Sequence, residues 1–112
     1  MKYLCLVYLE EDKWNAVRDN ECLAASVRLH AEGHVIAAEP LHPVHTATTL
    51  RLRDGALTMT DGPFAETKEQ LAGFYLFEAA DLDEAVTLAA RIPPVRVGSI
   101  EVRPVRELDP NG

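Results

Sequence analysis

Hydrophobic and polar positions along the chain fall into alternating strand-like and helix-like stretches. Residues 2–9, KYLCLVYL, are apolar at both alternating positions, with Tyr3, Cys5, Val7 and Leu9 on one face and Leu4, Leu6 and Tyr8 on the other. That pattern predicts a central strand covered on both sides. A helix is expected from about Trp14 to Glu32, with Asp12 as its cap and Gly33 ending it in a left-handed conformation. HVIAA follows as a short strand that stops before Pro40. TTLRLR and ALTMT then flank Asp54-Gly55, a dipeptide suited to a two-residue type I′ turn. Counting outward from that turn sets Arg53 opposite Ala56, Leu52 opposite Leu57, Arg51 opposite Thr58 and Leu50 opposite Met59. Apolar pairs fall on one face and polar pairs on the other, so the register is self-consistent.

The second half repeats the alternation. LAGFYLFEA, residues 71–79, reads as a strand. Asp81 opens a second helix, and Asp81 with Glu84 three positions on forms a capping box. Leu82, Ala85, Val86 and Ala89 are its expected buried stripe, and Pro93-Pro94 ends it. SIEVRPV is the last strand, with Ile100 and Val102 inward and Glu101 and Arg103 outward. Residues 1–105 read as one domain, and 106–112 form a polar tail.

Two helices cover only one face of a sheet with this strand order, which predicts an α+β, ferredoxin-like fold with an added β-hairpin. Strands 2–9 and 71–79 are nevertheless apolar on both faces. The uncovered face is therefore expected to bury against a second copy, in a two-fold homodimer with the sheets face to face.

Composition narrows the partners. A net charge of −7 argues against nucleic acid and against anionic membrane surfaces. Aromatic residues make up only 6% of the chain, too few for a base-stacking platform. The apolar run at the start is too short to span a bilayer, has no cleavage site after it, and is followed by acids. Cys5 and Cys22 have no zinc spacing and are expected to be reduced thiols in a cytoplasmic protein.

The stretch DGPFAETKEQ, residues 61–70, holds the candidate chemistry. Asp61 and Glu66 are a carboxylate pair whose acidities a pocket could separate, leaving one acid and one base. Lys68 suits an anionic ligand, Phe64 an apolar wall, and Gly62-Pro63 a fixed backbone. The competing expectation is structural: Asp before Gly-Pro bonds its own backbone, while Glu66 and Thr67 staple the loop. His30 and His34 are four apart, but Gly33 lies between them, and His42 and His45 flank Pro43-Val44 with no further ligand at metal spacing. No metal site or cofactor motif follows from these residues.

MKYLCLVY, TDGPFAETKEQLAGFYLFEA, DLDEAVTLAARIP and GSIEVRPV together resemble the YCII-related superfamily, and within it the DGPF-domain group, over nearly the whole chain. The resemblance implies a dimeric ferredoxin-like α/β-barrel and genes often found beside extracytoplasmic-function sigma factors. Some of the wider superfamily resemble small lyases or isomerases with a His–Asp pair. Carried over, that pair falls on Cys22 and Ile92, which cannot do its work. Two functions remain. One is a small-molecule pocket lined by Asp61, Phe64, Glu66 and Tyr75, with cofactor-free lyase- or isomerase-like chemistry. The other is a non-catalytic dimeric partner protein linked to a sigma factor.

Overall fold

The computed structural model describes residues 1–112. Strand β1 (Lys2–Glu10) leads through a 3₁₀ turn at Glu11–Lys13 to helix α1 (Asp19–Ala31). Strand β2 (Val35–Pro40) and a 3₁₀ turn at Val44–Thr46 precede the hairpin strands β3 (Thr48–Arg53) and β4 (Ala56–Asp61). Then come β5 (Glu69–Glu78), helix α2 (Leu82–Ala89), a 3₁₀ turn at Pro93–Arg96 and β6 (Ser99–Pro104). β2, β5, β1 and β6 form one antiparallel sheet in that order, while β3 and β4 pair only with each other. Without the hairpin this is the βαββαβ order of ferredoxin-like folds, the expected α+β class.

One face of the sheet carries the core. Tyr3, Cys5 and Val7 alternate along β1 and meet Phe77 of β5, with Leu29 of α1 and Ala85, Leu88 and Ala89 of α2 above them. Ile100 and Val102 pack inward against this cluster, as their alternation predicts. The other face has no helix. There Leu4 lies opposite Leu76, Leu6 opposite Phe74 and Tyr8 opposite Leu71, each only half-buried or exposed. The protein measures 47 × 45 × 19 Å, the thickness of one sheet layer and one helical layer at about 10 Å each.

The hairpin register is as expected: Arg53 pairs with Ala56, Leu52 with Leu57, Arg51 with Thr58 and Leu50 with Met59. Asp54 at φ 52° and Gly55 at φ 78° give the left-handed pair that a type I′ turn requires. Asp81 caps helix α2 as predicted, with Glu84 N–H donating to Asp81 Oδ1 at 2.9 Å, while Glu84 Oε1 reaches back one residue past the cap and accepts from Ala80 N–H at 3.0 Å.

Two boundaries and one buried stripe differ from the sequence reading. Helix α1 starts at Asp19, not Trp14, and its N-cap is Arg18, not Asp12. Its buried positions run back from Leu29 through Ala25, and the next core residue, Val17, is supplied by the loop rather than by another helical turn. Strand β2 continues through Pro40 because it is an edge strand, where a missing N–H is tolerated. Leu82 and Val86 are exposed, and the buried stripe of α2 is Ala85, Leu88 and Ala89, continuing to Ile92. The two alanines let α2 lie close to the sheet, which leaves the larger side chains at its flanks. Gly33, at φ 86°, follows α1 as expected.

Candidate functional site

The segment 61–70 is held mainly by its backbone. Gly62 N–H donates to the Ala47 carbonyl at 2.7 Å, and the Gly62 carbonyl accepts from Thr49 Oγ1 at 2.8 Å. Gly62 has φ 102°, a left-handed conformation open to glycine, which lets the chain leave β4 and keep both contacts. Thr67 Oγ1 donates to the Glu69 carbonyl at 2.6 Å, and the Gln70 side-chain amide donates to the carbonyl of Thr67. The exposed Lys68 Nζ lies 3.5 Å from Oε1 of the half-buried Glu10, at the end of β1.

None of these contacts uses the carboxylate of Asp61 or Glu66. The turn bond expected from Asp61 to its own backbone is not formed, and Thr67 rather than Glu66 staples the loop. Both acids instead line a cleft of about 430 Å³ with Gly62, Pro63, Thr67, Lys68, Gln70, Glu11, Val44 and His45. A second depression of about 240 Å³ shares Glu11, Val44, His45 and Gln70 and extends the cleft to Trp14, Asn15 and Pro43. The result is a polar groove bearing three carboxylates, one imidazole, one ammonium and two amides.

Of the seven residues singled out in the sequence, Asp61, Gly62, Pro63, Glu66 and Lys68 meet in this cleft. Phe64 projects into solvent at 80% exposure and is not part of the lining. Tyr75 lies on the helix face of the sheet, opposite Cys5, with its ring stacked on Phe77 at 5.3 Å. Burial raises its hydroxyl above the ordinary tyrosine range, partly offset by the Ser26 hydroxyl.

Glu11 and His45 are cleft residues that the sequence reading missed. His45 had a signal. Extending the hairpin register pairs Thr48 with Asp61, and one step further sets Ala47 beside Gly62, two residues from His45. Glu11 had none, because only the pairing of β1 with β5 brings the end of β1 to this loop. The other histidines diverge around Gly33: His30 Nδ1 lies 2.8 Å from the Ser26 carbonyl, and His34 Nδ1 lies 3.1 Å from the Glu78 carbonyl.

The positions matched to the superfamily's His–Asp pair hold no acid–base couple. Ile92 is in the core. Cys22 is half-buried, and its thiol is pushed up first by burial and then by Asp19 and Glu21, with Arg96 opposing. It is protonated at neutral pH and a weak nucleophile.

A ferredoxin-like α+β fold with a polar cleft at an inserted hairpin defines the class of protein. Residues 1–109 match the YCII-related domain, and the chain belongs to that family. An uncharacterised protein from Rhizobium meliloti is 40% identical over 114 residues, spanning 94% of this chain and 92% of the relative. Among solved structures, the chain is similar to 5-chloro-2-hydroxyhydroquinone dehydrochlorinase from Burkholderia phenoliruptrix in complex with 2,5-dihydroxybenzoquinone. The TM-score is 0.57 at 18% identity, over 95% of this chain and 94% of that one. At that identity the likeness is one of fold. No helix is long and apolar enough to cross a membrane.

Proposed function

We propose that the protein, a DGPF-group member of its family, is a cytoplasmic, homodimeric, cofactor-free acid–base catalyst of the lyase or isomerase type. Its substrate is a small polar molecule bound in the cleft at residues 61–70. The observation that carries this reading is the state of Asp61 and Glu66. Both residues line the cleft, exposed at its surface, and neither carboxylate is used to hold the loop together. Acids kept for folding are ordinarily engaged by caps, turns or ion pairs, so unengaged acids in a concave site suit proton transfer. In this reading Asp61 and Glu66 accept and return the proton. His45 and Glu11 are further titratable groups lining the same cleft, and Lys68 and Gln70 orient the substrate. A fold relative that bears the name of a dehydrochlorinase supports elimination chemistry as the reaction class.

The test is the unfolding free energy of Asp61→Asn and Glu66→Gln against wild type, all at one protein concentration because folding is coupled to assembly. Each variant is expected to stay within about 0.5 kcal/mol of wild type. A thermal-shift screen of hydroxylated aromatic and hydroxy-acid compounds is expected to find ligands that stabilise wild type and not the variants. A loss of about 1–3 kcal/mol in both variants would show acids that hold the loop instead. A second reading, a non-catalytic partner protein linked to a sigma factor, draws support from the apolar hairpin face left exposed in the protomer.

A further inference from the structure

The β3–β4 hairpin has a face that nothing in the chain covers. Leu50, Leu52, Leu57 and Met59 are 59%, 63%, 64% and 71% exposed, and all four lie on the same side in two cross-strand pairs. The opposite side carries Arg51, Arg53, Thr58 and Thr60, so the ribbon is amphipathic and has no layer to pack on. An isolated two-stranded ribbon is marginal in water. All 112 residues are placed, and none of them seats on this face.

We propose that the hairpin is a dimerisation arm, with the apolar face of Leu50, Leu52, Leu57 and Met59 packing against a second copy of the chain. The inference rests on the homodimer reading and adds to it a contact that the sheet face alone does not supply. Surface area argues for this occupant. A compact monomer of 12.4 kDa exposes about 6,100 Å². This protomer exposes 8010 Å², nearly a third more. The excess is more than twice the area of about 800 Å² that each partner buries in a standard interface, leaving room for the sheet face and the arm together. The radius of gyration, 16.0 Å against about 13 Å for a compact chain of this length, describes the same extended shape.

Charge argues for it too. The chain carries −7, so two copies repel unless they meet where acids are absent or balanced. Between Thr48 and Asp61, Arg51 and Arg53 balance Asp54 and Asp61, and the two apolar cross-strand pairs carry no charge, with Asp61 following them on that side only at the cleft end, paired with Thr48. The arm is a neutral surface on an acidic protein.

The test is sedimentation equilibrium of wild type, of the double variant Leu52→Asp/Leu57→Asp, and of Thr58→Asp as a control. Thr58→Asp sits on the polar side opposite Arg51 and is expected to dimerise like wild type. The double variant is expected to raise the dimer Kd by about 100-fold or more. Because that variant could lose the hairpin altogether, hydrogen exchange of wild type is followed in parallel. Amides of 48–61 are expected to gain protection as concentration rises through the dimer Kd. If wild type dimerises while hairpin protection stays independent of concentration, or the double variant keeps the wild-type Kd, this inference fails and the sheet-face dimer stands. If wild type is monomeric throughout, both fail. Hairpin protection that appears only with an added heterologous protein also overturns it.

Discussion

The two cysteines show how far burial alone can set chemistry. Cys5 has no exposed surface, lies on β1 in the core beneath the helices, and desolvation pushes its thiol up to about 11. Cys22 is raised as well, but sits half-exposed on α1. A thiol reagent at pH 8 is expected to modify Cys22 slowly in the native protein and Cys5 only after unfolding, so a count of one native and two denatured thiols checks the assignment. The sign of the linkage follows. The unfolded Cys5 thiol ionises near its ordinary value, before the folded one, so its burial stabilises the protein below about pH 9 and that stability is lost as pH rises toward 11. The spacing of the two cysteines predicts reduced thiols for both. Their difference in burial was visible only for Cys5, which sits in an alternating strand.

Among the elements, the ends of the two helices are tied to each other. Glu32, just past α1, accepts two hydrogen bonds from Arg91, just past α2, one of them at 2.8 Å. Arg91 holds the Glu32 carboxyl below its usual range.

 Because the folded value is depressed, the pair's contribution is full above the ordinary carboxylate range and disappears as pH falls through the folded value. Urea unfolding is therefore expected to separate wild type from Glu32→Gln at pH 7 and to bring them together as the pH is lowered and Glu32 protonates, with the gap at pH 7 narrowing in high salt. The approach to β6 is constrained differently. A Cβ at Gly98 would sit 2.1 Å from the Tyr8 carbonyl oxygen, so Gly98→Ala must push β6 off β1. Its expected cost is about 1–3 kcal/mol in equilibrium unfolding. Strand alternation, the Asp54-Gly55 turn and the Asp81 cap were legible because each is a local pattern. The start of α1 and the stripe of α2 were not, because the core chose between near-equivalent apolar residues: Val17 entered it from a loop, and Leu88 took the place expected of Leu82 and Val86.

Across the protein as a whole, the uncovered sheet face carries the dimer proposal. Leu4, Leu6, Phe74 and Leu76 lie on the side away from both helices, and a stable two-layer domain does not leave such a face in water. Light scattering at micromolar concentration is expected to give the mass of two chains, and Leu6→Asp with Phe74→Asp is expected to give one chain. A single-chain mass for wild type would refute the dimer. This substitution acts on the sheet face, whereas Leu52→Asp/Leu57→Asp acts on the hairpin, so the two contacts are separable. The cleft belongs to this scale as well, since its walls come from the end of β1, the turn before β3, the end of β4 and the start of β5.

The chain's pattern of apolar and polar positions was sufficient for the strand and helix order, the hairpin register and the ferredoxin-like class, because these follow from local periodicity and the few ways of covering one sheet. It also drew attention to residues 61–70, through an unusual run of turn and charged residues. Packing settled the rest. It brought Glu11 and His45 to Asp61 and Glu66, packed Tyr75 against the core beside Phe77, and left Phe64 in solvent. Such a cleft depends on contacts between residues far apart in the chain, and no periodicity along the sequence encodes which distant side chains will meet.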